Sequence, residues 1–345
     1  VVTSSDLRTA SHALAEPPLL ESTSPARTRA RFSSTDLLML FAMLIWGVNF
    51  TIIKIALRSF SPLAFNALRF ALATLVLLVM MLLRGESFYL SRRDVVGMIL
   101  LGLAGHTIYQ MFFIRGLAST TPGNTSLLMA TSPVFVALYG HILRIERGNR
   151  KVWAGIILSF AGVLLLILGG ANGLALDRAS TTGDLLVLGA SMLWAVYTVG
   201  SKPLLARHSA LKLTAMAMLA GVPPLVLLSL PDLLRQNWGA IPPLHWFGLF
   251  YSALLSVVVG YTIWGTGVQR VGSARTAIYS NVTPVVAILV AWVALGDRLA
   301  LLQWLGAVVV IGGLLLTRRG RVHERPAEEK RPAAPLNDAP RQAQV

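Results

Sequence analysis

The chain has 345 residues, of which 55% are hydrophobic and only 13% charged, and its mean hydropathy is +0.67; soluble domains carry about 25% charged residues. That balance excludes a water-soluble enzyme and fits a chain that places most of its length in lipid. The net charge of +15 reads as membrane orientation rather than as a nucleic-acid partner, because Lys and Arg punctuate apolar runs or sit in the two end segments.

In chain order, residues 1–35 hold Pro17, Pro18, Pro25, Arg27, Arg29 and Arg31 without the apolar core of a cleaved signal, and read as a disordered cytoplasmic tail. A crossing needs about 20 apolar residues to cover roughly 30 Å of hydrocarbon. Ten such runs follow, at 36–55, 62–83, 94–113, 123–143, 152–168, 184–202, 211–230, 244–267, 273–295 and 299–317. Pro223 and Pro224 are expected to interrupt the seventh. Residues 318–345, basic and Pro-rich, read as a second disordered cytoplasmic tail. The predicted fold class is all-α, a polytopic membrane protein with ten transmembrane helices. With the N-terminus in the cytoplasm, basic residues between the spans fall twice as often on the cytoplasmic side, which puts both termini there.

The two halves echo each other. Asp36, Trp46 and Lys54 recur 148 positions later as Asp184, Trp194 and Lys202, and Ser132-Pro133, Trp153 and Gly162 recur at a spacing of 151 as Thr283-Pro284, Trp304 and Gly313. A duplication divides the chain into a first five-helix unit (36–169), a connecting loop (170–183) and a second unit (184–317). Because five is odd, the units enter the membrane in opposite directions, a 5+5 inverted repeat of the kind found in transporters.

Trp46-Gly47-Val48-Asn49-Phe50, Leu68-Arg69-Phe70, Thr131-Ser132-Pro133 followed by Glu146, and Thr283-Pro284 followed by Gly296-Asp297-Arg298 together resemble the drug/metabolite transporter superfamily, in its EamA-type ten-span permeases. The resemblance covers roughly 36–318. It implies a small-molecule substrate, commonly an amino acid or related compound, moved outward across the inner membrane.

All 15 acids sit in tails, loops or span ends, which disfavours a buried carboxylate relay and leaves sodium coordination by backbone carbonyls open. His106 lies near mid-span, with Tyr109, Gln110 and Phe113 on its helical face and Tyr261 and Trp264 as repeat partners. Two readings apply to it: a neutral imidazole bonded to a neighbouring helix, or a group that handles substrate or protons. Trp46, Asn49, Trp194 and Tyr197 are too deep for interfacial anchors and are expected to face each other as pocket walls. Tight helix packing is the alternative. Asn281 joins the substrate-binding candidates, next to a carbonyl released by Pro284. Pro133 and Pro284 are read as gating kinks in moving helices, or else as static kinks.

Arg69, about seven residues into its span, is expected to snorkel outward or to bind carbonyls, with a substrate carboxylate as the functional alternative. Lys54 and Lys202 read as helix-end caps. Gly155, Ser159, Gly162, Gly306 and Gly313 give faces for close packing or for a homodimer seam. No cysteine, no metal-ligand cluster and no ATP-binding loop occur in the sequence, so no metal or cofactor is expected and energy must come from gradients. Two other readings compete with transport: a receptor or scaffold working through its tails, and an intramembrane hydrolase with Ser191 as nucleophile and His106 as base.

Overall fold

The computed structural model describes residues 33–143, 146–147, 150–169, 178–296, 300–319 and 323–324. Both predicted tails apart from a few residues, the linker stretch 170–177, and the Asp297-Arg298 pair lie outside the described residues.

Helix α1 runs Ser34–Ala56 and α2 runs Pro62–Leu83, begun by a proline at a position where the missing amide costs nothing. Helix α3 spans Arg92–Ser119, and the Ser91 hydroxyl accepts from the Asp94 amide at its start. Helix α4 spans Pro122–Ile142, with the Thr121 hydroxyl accepting from the Asn124 amide. Then come α5 (Arg150–Leu168), α6 (Arg178–Leu205) and α7 (Ala210–Leu228), the last capped by Ser209. A short helix, Leu230–Arg235, leads to α8 (Pro243–Val271). Helix α9 comprises Ser273–Tyr279 and Val282–Leu295, and α10 is Leu301–Arg319. Beside the helices, Glu146–Arg147 pairs antiparallel with His323–Glu324.

Among the described residues, seven helices rather than the ten expected are long and apolar enough to cross a membrane, namely α1 to α4, α6 from Ser180, α7 and α8, and Val282–Leu295 and Leu301–Gly313 are shorter apolar helices. The outward faces of α9, α10 and α5 carry Val293 (80% exposed), Leu301 (77%) and Ile157 (68%), side chains that water would penalise and lipid tails accept. The chain is a multi-pass membrane protein.

Two expectations about continuity are reversed. Helix α7 continues through Pro223 and Pro224 instead of breaking there. It is held by its neighbour, because Gly221 and Gly102 bring the backbones of α7 and α3 together: a Cβ on Gly221 would stand 2.1 Å from the Gly102 carbonyl oxygen. The Thr107 hydroxyl also donates to the Gly221 carbonyl at 2.5 Å. Conversely, α4 is interrupted at Ala130–Thr131 and α9 at Ser280–Asn281. Pro133 and Pro284 therefore sit in the first turn of new helical segments, where a missing amide is tolerated, not in the middle of kinked helices.

The packing has a two-fold pattern. Helix α3 packs on α6 as α8 does on α1, α4 on α6 as α9 does on α1, α3 on α7 as α8 does on α2, and α2 meets α7 and α5 meets α10 directly. In the α5–α10 contact the predicted small residues let the backbones touch: a Cβ on Gly162 would lie 2.6 Å from the Val310 nitrogen, and one on Gly313 2.6 Å from the Gly155 carbonyl oxygen. Gly155, Gly162, Gly306 and Gly313 thus serve close packing within the chain, the first of the two roles expected of them.

Candidate substrate cavity

The duplicated tryptophans meet. Trp46 on α1 and Trp194 on α6 lie edge to face, with ring centroids 5.6 Å apart at 83°. Trp46 can approach because Gly260 on α8 has no side chain; a Cβ there would stand 2.4 Å from the indole nitrogen. The indole N–H donates to the Ser256 carbonyl at 2.9 Å. Tyr261 and Tyr109 close on Trp194 at 5.2 and 5.4 Å.

These rings enclose a cavity of about 70 Å³, lined among others by Trp46, Asn49, Arg69, Tyr109, Gln110, Trp194, Tyr261 and the broken segments of α4 and α9. That volume has room for only a few waters, whereas ligand pockets typically measure roughly 300–1,000 Å³.

Of the predicted residues, Trp46, Asn49, Tyr109, Gln110, Trp194 and Tyr261 line this cavity. Three stand one layer back. Tyr197 stacks on Trp194 at 5.4 Å, Trp264 donates its indole N–H to the Thr198 hydroxyl at 3.3 Å, and His106 is wholly buried against Tyr197 and Tyr261, at 5.1 and 5.6 Å. The imidazole bonded to a neighbouring helix, one of the two readings of His106, is not what the structure holds: neither ring nitrogen has a hydrogen-bond partner. Asn281 sits at the break in α9, off the cavity wall, with its side-chain oxygen unpartnered.

Arg69 does not snorkel. It is 2% exposed and faces the cavity. Nη1 donates to the Ser252 hydroxyl at 2.8 Å and Nη2 to the Gln110 side-chain oxygen at 2.9 Å. Its Cζ stands 4.9 Å from the centre of the Phe70 ring, with Phe65 and Phe113 at 5.8 and 5.9 Å. Insertion scales charge about 2.5–3.5 kcal/mol for a cation at mid-depth. Two hydrogen bonds from a charged group, each about 1.5–3 kcal/mol, together with ring faces, offset that without a journey to the surface. Gln110 is shared, since its amide nitrogen donates to the Tyr261 hydroxyl at 2.9 Å.

Lys54 caps as expected, donating to the carbonyls of Leu117, Ala118 and Thr120 at 3.0, 2.9 and 2.6 Å. Ser191 is engaged by hydroxyls on α4, those of Thr131 at 3.0 Å and Ser132 at 2.9 Å, and so lacks the imidazole partner the hydrolase reading required.

Two features escaped the sequence. Residues Leu103–Ile108 of α3 and Ser252–Val259 of α8 are π-helical, at matching places in the two halves and flanking the cavity. The glycines beneath the rings are the second, for Gly105 admits Tyr197 as Gly260 admits Trp46.

A helical membrane protein whose matching elements enclose one small polar and aromatic cavity is built as a carrier is built. The sequence matches the EamA-like transporter family twice, at residues 33–168 and 181–319, and the chain belongs to that family. It is 30% identical over 270 residues to the uncharacterized transporter YyaM of Bacillus subtilis (strain 168), covering 78% of this chain and 88% of that protein. It is also 30% identical over 290 residues to a "Probable amino-acid metabolite efflux pump" of Salmonella typhimurium (strain LT2), covering 81% of this chain and 93% of the pump. One crystal structure superposes with a TM-score of 0.62 at 21% identity, over 83% of this chain and 98% of the other, a likeness of fold alone. These relatives are transporters rather than enzymes.

Proposed function

We propose that the chain is a ten-span secondary carrier of the inner membrane, with both termini cytoplasmic, that exports a small metabolite of the amino-acid class by alternating access. The observation that carries this reading is the cavity itself, lined by α1 to α4 and α6 together with α8 and α9, with Trp46 against Trp194. The two matches to the family and the exchanged packing of equivalent helices support the 5+5 inverted repeat and its units, 36–169 and 184–317. The efflux pump among the relatives supports outward transport of an amino-acid compound.

In this orientation Tyr197, which lies closer to the C-terminal end of α6 than the cavity-lining Trp194, and Trp264, closer to the C-terminal end of α8 than the cavity-lining Tyr261, plug the cytoplasmic side. The segments begun by Pro133 and Pro284 are the gates. Each starts at a break whose loss of helical bonds has already occurred, so it pivots at low cost.

The test is flux in proteoliposomes loaded with a mixture of amino acids, under an imposed pH or sodium gradient. The reading expects gradient-dependent flux in the wild type, lost in Trp46→Ala. Equal flux in both, or none in the wild type, would contradict it.

A further inference from the structure

Resting on the carrier reading, we infer that Arg69 and Asn49 form a zwitterion clamp, with the Arg69 guanidinium receiving the substrate's carboxylate and the Asn49 side-chain oxygen receiving its ammonium group. Arg69 faces the cavity at 2% exposure, yet its described partners are all neutral: one hydroxyl, one amide oxygen and three aromatic rings. Its Nε is buried with no acceptor. Among the described residues no carboxylate pairs with it.

A guanidinium is a planar fork matched to a carboxylate, and a buried one held by neutral groups carries an unsatisfied preference for an anion. A substrate carboxylate supplies both the countercharge and the missing acceptor. It displaces the Gln110 oxygen, and Gln110 keeps its bond to Tyr261.

Asn49 lines the same cavity at 5% exposure, and its Oδ1 is buried without a donor. A bare amide oxygen accepts from an ammonium group and gains nothing from a second carboxylate. The aromatic walls between the two poles suit an apolar side chain. The substrate class is thus an α-amino acid or a close zwitterionic derivative, and neither the corresponding amine nor the corresponding acid lacking nitrogen engages both poles.

The test uses proteoliposomes of the full chain and two labelled probe sets, the twenty protein amino acids and the amines formed by removing their carboxylates. The clamp predicts that the wild type moves members of the first set and none of the second. It predicts that Arg69→Gln raises the half-saturating concentration about tenfold or more, as loss of one charge-assisted contact does, that Arg69→Lys recovers part of the loss, and that Asn49→Leu impairs amino acids and narrows the wild type's preference for them over their N-acetyl forms. Should Arg69→Gln not fold, judged by a monodisperse gel-filtration profile, the wild-type comparison of the two sets still decides. Amines moved as well as amino acids, or Arg69→Gln behaving as wild type, would overturn the clamp and leave the carrier standing. No flux of either set would overturn the clamp and count against the carrier as well.

Discussion

Trp46 and Trp194, 148 residues apart in sequence, touch edge to face with their centroids 5.6 Å apart. An equivalent pair meets in this way when two copies of one unit pack about a common axis, and the contact sits on the wall of the cavity. Edge-to-face pairs contribute about 0.5–1.5 kcal/mol beyond the area they bury. A double-mutant cycle of Trp46→Leu and Trp194→Leu, read by thermal unfolding in detergent, is expected to give a coupling of that size. Additive effects would remove the pair from the account.

Gly260 is the platform for Trp46. Gly260→Ala places a methyl group 2.4 Å from the indole nitrogen and must push the ring off the Ser256 carbonyl. Overpacking of this kind costs about 1–3 kcal/mol. The expected result is a lower unfolding temperature and reduced flux, with shifted tryptophan fluorescence as the direct sign that the ring has moved.

The close approach of α3 and α7 gives a sharper contrast. Gly221→Ala would set a Cβ 2.1 Å from a backbone oxygen, whereas Gly312→Ala meets nothing nearer than 3.9 Å. Expression and thermal stability should collapse or fall by about 1–3 kcal/mol in the first and stay within about 0.5 kcal/mol in the second. Equal behaviour would place the helices farther apart than described.

The duplicated acids tie each half to a broken helix of the other. Asp184 on α6 accepts from the Asn124 side-chain amide on α4, and Asp36 on α1 accepts from the Tyr279 hydroxyl on α9. Asn124→Leu leaves Asp184, 1% exposed, without that donor, a loss of about 1–3 kcal/mol. Asp184→Asn in the same background is expected to recover part of it. Thermal melts of the single and double variants check this.

Much of this was legible in the sequence. Hydropathy located the helices, and the repeat spacing placed Trp46 opposite Trp194, because both are properties of the chain read at a fixed period. What escaped depends on partners that no local pattern contains. The π-helical turns at Leu103–Ile108 and Ser252–Val259 shift a hydrogen bond by one residue and leave the hydropathy unchanged. For Arg69 the sequence left snorkelling, carbonyl binding and a substrate carboxylate open, because its actual acceptors, Gln110 and Ser252, lie 41 and 183 residues away. Two consecutive prolines mark a break only until a neighbouring backbone holds the helix, as Gly102 does for α7.

The central claim is that the cavity opens to one side at a time, and the chain's lack of cysteine makes it directly measurable. Ala130, at the break in α4 and on the cavity wall, is replaced by cysteine, and its labelling by a membrane-impermeant maleimide is timed from each face of oriented vesicles. The account predicts labelling from both faces, with one rate rising as the other falls when the cargo gradient is reversed. Labelling from a single face under every gradient, or rates that rise and fall together, would contradict it.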